Sequence, residues 1–314
     1  MMKRLVLVAA CLAALVAPAA ASETRLAILS TTDVKGKTGP CGCKIPRGGF
    51  ARRAAFADSV RAGYDHVMVV ENGGFFPDED IPELAPFQME AMKMLGTVAA
   101  GVGEREFRYG LAFLRENAKA KAAPLTVANL LDRATGKPLF EPYRIVTFGS
   151  LKVGVFAVFP SDGDLGPAAD SVTITDPVAA AKRVVAELRK KGAKAIVALS
   201  SLGKVGSEDL AAAVDGIDVV IAGRNVPVAP RARSVRGTAV VFGGEQGHYI
   251  GRSVVTFGPN GAVTGREGET FSLGPEMTDH AAVAKAVAAF EADLSARRGT
   301  RSSSTADPHA GHNH

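Results

Sequence analysis

Tryptophan is absent and aromatic residues make up only 6% of the chain, so aromatic stacking is not its main mode of recognition. Charge of one sign is also in short supply. The formal net charge is +5, and Lys3 and Arg4 carry two of those charges, which leaves no footprint for nucleic acid. Beyond the first residues no stretch reaches the eighteen apolar residues that would span a bilayer. No internal repeat is present. Cysteine is rare, with three in 314 residues. What remains is 47% hydrophobic and 22% charged with 34 glycines, which fits a globular protein with a sizeable core and not a disordered, coiled-coil or collagen-like chain.

The N-terminus reads as an export leader. Met1-Met2-Lys3-Arg4 is a short basic segment, Leu5–Ala17 is an unbroken apolar run, and Ala19-Ala20-Ala21 supplies small residues for cleavage. That run is too short to cross a membrane, so residues 1–22 are assigned as a signal peptide and the mature chain as periplasmic or secreted. Val8-Ala9-Ala10-Cys11 offers a lipidation alternative, weakened because the apolar run continues past Cys11. With Cys11 in the leader, Cys41 and Cys43 are the only cysteines of the mature protein, in a compartment where disulfides persist.

Short apolar runs at Leu26–Ser30, Val67–Val70, Thr97–Ala100, Leu125–Ala128, Ala195–Leu199, Val219–Ala222, Ala239–Phe242 and Ser253–Phe257 read as strands. Arg144–Phe148 and Lys152–Phe159 read as a hairpin. Helices are expected after Gly48-Gly49, around Leu84–Leu95 and over Val178–Lys190. This alternation predicts a layered α/β sandwich whose functional residues sit on loops at the carboxyl ends of strands. The expected division is a domain over 23–275, a C-terminal helix over 276–297 with Val283, Val287, Phe290 and Leu294 on one face, and a disordered tail over 298–314. His309, His312 and His314 give that tail the composition of a weak metal site. His66 and His280 read as surface or cap residues, and His248 as an imidazole near the functional loops.

Gly103-Glu104-Arg105-Glu106-Phe107-Arg108-Tyr109-Gly110-Leu111 resembles the Gly-Asn-His-Glu-Phe-Asp-Tyr-Gly-Leu motif of the UshA-like 5′-nucleotidases, which are calcineurin-like metallophosphoesterases. Val127–Leu130 with Thr135–Pro138, Ser200–Gly203, Asp215–Gly223 and Gly243–Gly251 resemble the motifs that follow it in the same order. The resemblance implies a metallophosphoesterase-like four-layer α/β/β/α sandwich. It also implies two divalent metals that activate water and clamp a phosphoryl group. Of the seven ligand positions only Asp33 matches. Lys35, Gly74, Glu104, Ser201, Arg224 and Val226 stand at the others, and Arg105 and Arg108 replace the assisting His and Asp. Fixed cations at ligand positions repel a dication. No cofactor is therefore expected, with divalent metals required only if phosphoesterase activity persists.

Pro40-Cys41-Gly42-Cys43-Lys44 followed by Gly48–Arg53 resembles the UshA-like (seleno)protein group, in which a loop cysteine is selenocysteine in some members; the resemblance implies redox use of that position. The residues themselves are compatible. Lys44, Arg47, Arg52 and Arg53 are cations near the pair in sequence, and a helix begins just after it, both of which favour thiolate. A disulfide over one intervening residue closes almost no loop and so adds little stability. A static disulfide, inert thiols and metal binding remain alternatives. Lys35, Arg105, Arg108 and Arg224 read either as an anion site or as a salt-bridge network filling the vacated pocket. The leading expectation is an exported, non-hydrolytic relative with a redox-active Cys41/Cys43 pair beside that pocket, served by a periplasmic thiol or electron-transfer partner. The alternatives are an anion- or metal-binding protein without catalysis and a residual phosphoesterase.

Overall fold

Strands and helices alternate through the first half: β1 (Thr24–Thr31), α1 (Phe50–Arg61), β2 (His66–Asn72), α2 (Leu84–Leu95), β3 (Thr97–Gly101), α3 (Gly110–Lys121) and β4 (Leu125–Thr126). A short β5 (Leu130–Asp132) precedes the hairpin β6 (Arg144–Phe148) and β7 (Leu151–Val158), then β8 (Val172–Ile174) and α4 (Pro177–Lys190). β9 (Ala195–Ser200), α5 (Gly203–Ala213), β10 (Val219–Ala222), β11 (Arg233–Val235), β12 (Thr238–Phe242), β13 (Tyr249–Phe257), β14 (Val263–Ser272) and α6 (Ala281–Ser304) complete the order. This computed structural model describes residues 23–304. The expected leader, the Cys11 alternative and the tail site of His309, His312 and His314 lie outside the described residues.

Two six-stranded sheets carry the fold, ordered β14-β13-β1-β2-β3-β4 and β11-β12-β10-β9-β7-β6. The central strands of each run parallel; antiparallel strands close both flanks of the second sheet and the β13–β14 flank of the first, whose other edge, β4, is parallel. Strands buried on both faces must be apolar throughout, and β9 (Ala-Ile-Val-Ala-Leu-Ser) is buried at every residue. Leu26, Ile28, Met68 and Val70 of one sheet meet Val153, Val155, Val197 and Ile221 of the other. α1 and α6 cover the outer face of the first sheet, where Phe50, Ala54 and Ala57 pack with Val283 and Val287. α4 and α5 cover the second through Val184, Leu188 and Leu210. The result is the four-layer α/β/β/α sandwich.

Local chemistry explains the regular helices. α4 begins with Asp176, whose carboxylate accepts from the Ala179 amide at 2.6 Å, followed by Pro177 in the first turn. Such a cap stabilises a helix by about 1 kcal/mol. Three elements carry no clear signal in sequence. α3 buries only Leu114 and Ala118 completely, and α5 contains Gly203 and Gly206. β14 is polar, and it forms because β13 presents a long edge that pairs with it from Tyr249↔Ser272 to Phe257↔Val263. α6 also runs past the boundary expected at 297, reaching Ser304. Near the expected boundary it is braced by Arg297 donating to Asp293 at 3.0 Å, an i,i+4 pair, and it continues through Gly299. His280 does act as a cap, its Nδ1 accepting from the Val283 amide at 3.3 Å.

Candidate functional site

The parallel strands deliver their following loops to one end of the sandwich, where the two sheets meet. Asp33 follows β1, Gly74 follows β2, Gly103–Arg108 follow β3, Ser201 follows β9, and Arg224 and Asn225 follow β10. All of these except the buried Glu106 and Phe107 line an open cavity of about 400 Å³, together with Asp164 from the loop after β7. The sheets are stitched together just beneath it. Asn72 is buried at the end of β2 and donates through Nδ2 to the carbonyls of Ile221 (2.7 Å) and Ser200 (3.2 Å) in the opposite sheet. Gly223 permits this approach, since a Cβ there would lie 2.8 Å from Asn72 Nδ2.

Most of the cations on the cavity wall are already engaged. Arg224 donates to Glu104 through Nη2 (3.0 Å) and Nε (3.3 Å), and through Nη1 to Asp162 at 3.0 Å. Arg105 pairs with Asp78, and Lys35 pairs with Glu245 and does not line the cavity. Arg108 lines the cavity, is exposed, and leans over the Tyr109 ring at 5.9 Å. Asp33 is held by three donors: the amides of Arg224 (2.9 Å) and Asn225 (3.2 Å) and the Thr32 hydroxyl (3.1 Å). Burial nevertheless raises its carboxyl above the ordinary value, against those hydrogen bonds and the Lys35 charge.

Sequence reasoning passed over the group that shapes this end of the fold. Glu106, fully buried, accepts from the amides of Gly103 (2.6 Å), Phe75 (2.8 Å), Gly74 (2.9 Å) and Phe76 (3.1 Å). One carboxylate thus fixes the loops after β2 and β3. Burial pushes it up to about 7, and the four amides pull against that shift. Residue type gave little signal for it, since Glu106 stands among the charged Glu104, Arg105 and Arg108.

A second buried ionic pair lies under α1. Arg53 Nη1 is 3.6 Å from Glu71 Oε2, which also accepts from the Thr31 hydroxyl at 2.5 Å. Burial lifts Glu71 to about 7 and lowers Arg53 to about 10. Arg53 is therefore a core residue covered by Phe50 at 4.3 Å, and not a cation beside the cysteines as its place in sequence suggested. Arg52 bonds the backbone rather than the sulfurs, donating to the carbonyls of Pro46 on the cysteine loop (2.7 Å) and Leu273 (3.2 Å).

Cys41 and Cys43 are joined as a disulfide, with Cα atoms 5.3 Å apart. They sit on an exposed loop and do not line the cavity. Between Lys35 and Cys41 the chain leaves the cavity wall because Thr38 is anchored to Glu291 of α6 and its carbonyl accepts from the Phe50 amide. The loop is closed by a pair of contacts between Cys41 and Arg47. The Cys41 amide donates to the Arg47 carbonyl at 2.8 Å, and the Arg47 amide reaches Cys41 Sγ at 3.4 Å. Arg47 Nη1 donates onward to the Tyr249 hydroxyl at 3.1 Å. His248 is beside this loop rather than in the cavity, and burial lowers its pKa.

No family model matches the chain. A 5′-nucleotidase of Vibrio cholerae is 31% identical over 46% of the chain, and a 2′,3′-cyclic-nucleotide 2′-phosphodiesterase/3′-nucleotidase of Yersinia enterocolitica is 29% identical over 49%. The chain spans little more than a quarter of each, 28% and 27% of their lengths. The 5′-nucleotidase precursor of Thermus thermophilus superposes with a TM-score of 0.77 at 25% identity, covering 87% of this chain and 59% of that one. The chain has the fold of the calcineurin-like metallophosphoesterases and is similar in sequence to 5′-nucleotidases.

This donor set does not fit the dinuclear metal centre that the resemblance implies. Asp33, the one residue that matches a ligand of the resembled motifs, has its Oδ2 occupied by two backbone amides and a hydroxyl. The bridging position is Gly74, at φ +67°, where a Cβ would lie 2.5 Å from Asp33 Oδ1. Val226 is buried in the apolar layer against α4 and α5, away from the cavity. Among the described residues no group of three His, Cys, Asp or Glu is arranged to hold a metal ion.

Proposed function

We propose that this chain is an exported, non-hydrolytic member of the superfamily in which Cys41 and Cys43 form a working thiol–disulfide couple. One observation carries the reading. The two cysteines are joined on an exposed loop, while the old ligand positions hold an ion-pair network in which Arg224 is bound by Glu104 and Asp162. A disulfide across one residue contributes little to stability through chain entropy, so holding it at the surface suits exchange better than bracing. Export is inferred from residues 1–22. No helix among the described residues is long and apolar enough to cross a membrane.

The couple takes two electrons and two protons from a dithiol, which leaves as a disulfide, and a periplasmic dithiol protein is the proposed partner. The test is labelling of free thiols across a series of glutathione ratios. A reversible two-electron transition well above about −300 mV is expected. A pair that stays oxidised, or stays reduced, at every ratio removes the reading.

A second reading has its own observation. The cavity of about 400 Å³ retains the exposed Arg108 on its wall beside Arg105 and Arg224, a composition suited to a small oxyanion. Under that reading phosphate or sulfate binds with no turnover, and Arg108→Ala abolishes the binding. Lys35 is not on the wall and contributes nothing to such a site. Phosphoester hydrolysis remains the third reading, and it requires about two metals per purified chain.

A further inference from the structure

The two sulfurs of the couple are not equivalent, and the geometry points to a fixed direction of exchange: an incoming thiolate attacks Cys43 and expels Cys41. This rests on the thiol–disulfide reading above and adds to it the role of each sulfur.

Two observations support the assignment. The first is access. Gly42, Cys43, Lys44 and Ile45 form the exposed tip of the loop, whereas Cys41 is only partly exposed at its base. Attack on a disulfide requires the nucleophile to approach the target sulfur, so the tip sulfur is the one reached first. Ile45, two residues further along the same tip and 55% exposed, gives a partner protein an apolar foothold on this loop, while its carbonyl lies 4.0 Å from Cys41 Sγ.

The second is stabilisation of the leaving group. The Arg47 amide points at Cys41 Sγ from 3.4 Å, and the reciprocal bond from the Cys41 amide to the Arg47 carbonyl at 2.8 Å holds it there. Arg47 is itself anchored by its side chain on the Tyr249 hydroxyl. A hydrogen bond from an amide favours the thiolate over the thiol, and a better stabilised thiolate leaves faster. No comparable donor reaches Cys43 among the contacts of the described residues.

The chemistry balances as two successive exchanges. A thiolate of the partner dithiol forms a bond to Cys43 Sγ as the Cys41–Cys43 bond breaks, and its electron pair departs on Cys41. The partner's second thiolate then attacks its own sulfur in the mixed disulfide and releases Cys43. The partner is oxidised by two electrons, the couple is reduced by two, and the two protons of the dithiol end on Cys41 and Cys43. Arg47 acts as a positioning residue, since it touches the leaving sulfur only through its backbone.

The test uses the full oxidised chain and reduced glutathione as the probe. Exchange is quenched early by alkylation and the adduct is located by mass spectrometry. Glutathione on Cys43 with alkylated Cys41 is expected to exceed the reverse pattern by about tenfold or more. In single-thiol variants, Cys41 in C43S is expected to alkylate with a lower pH midpoint than Cys43 in C41S, and Arg47→Ala, which frees the loop from Tyr249, narrows that gap. Equal adducts, or an excess on Cys41, overturn the direction while leaving a redox couple in place. A disulfide that gives no adduct at any glutathione concentration overturns the couple itself, and the direction with it.

Discussion

Replacing Glu106 is the sharpest probe of how this end of the fold is held. Its carboxylate accepts from four backbone amides at 2.6–3.1 Å and is wholly buried, so truncation strands four donors at once. An orphaned buried donor costs about 1–3 kcal/mol. Water entering the space left by the side chain would recover part of that, so Glu106→Ala should destabilise by about 4 kcal/mol, a large share of the roughly 5–15 kcal/mol typical of a folded protein. Glu106→Gln retains one oxygen but turns an NH2 group toward amides that also donate, so about half of that loss is expected. Urea unfolding followed by circular dichroism measures both variants, with an unchanged slope showing that the transition is still the same one. A loss below about 1 kcal/mol for Glu106→Ala would show that the loops after β2 and β3 are held by other contacts, and the argument from stranded amides would fail.

Other outcomes follow from the same geometry. Glu71 is pushed up to about 7 in the folded protein against an ordinary 4.5, so the folded state holds its proton more tightly. Its contribution to stability is full below about 4.5 and lost as pH rises through 7, and Glu71→Gln should flatten the fall in melting temperature between pH 5 and pH 8. Gly74→Asp should not recreate a metal site. It places a Cβ 2.5 Å from Asp33 Oδ1 at φ +67°, and the expected result is a strain cost of about 1–3 kcal/mol with no bound manganese or zinc by elemental analysis. Arg224 also has a left-handed backbone, φ +72°, so Arg224→Gly should trade its partly exposed ion pairs for relief of strain and change stability by less than about 1 kcal/mol, whereas Arg224→Ala relieves nothing and should be the less stable of the two by chemical denaturation.

Much of the architecture was legible because burial on both faces leaves a plain mark. Runs such as Ala195–Leu199 and Val219–Ala222 are apolar without alternation, and they are the central parallel strands β9 and β10. The order of the loop motifs likewise pointed to Asp33, Gly74, Glu104, Ser201 and Arg224, which the structure brings to one cavity, whereas Lys35 and Val226, singled out with them, do not line it. Elements whose stability comes from a neighbour were not legible. β14 reads as a polar Thr-Gly-Arg-Glu-Gly-Glu stretch, and only the free edge of β13 makes it a strand.

Residue type by itself determined which side chains stand at the loop positions, including the cations Lys35 and Arg224 where the resembled motifs carry metal ligands. Which charges meet which partners was decided by the tertiary structure. Arg53, adjacent in sequence to the cysteine loop, is in the core against Glu71, and Lys35 is drawn off the cavity wall by Glu245, two hundred and ten residues away along the chain. The cysteines, eight and ten residues after Asp33, leave the cavity altogether because Thr38 is tied to α6. Sequence spacing fixes only how far apart two side chains can be. Their actual contacts are chosen by long-range packing, where a buried charge must find its counter-charge or its amides, and that choice exists only once the two sheets have closed on each other.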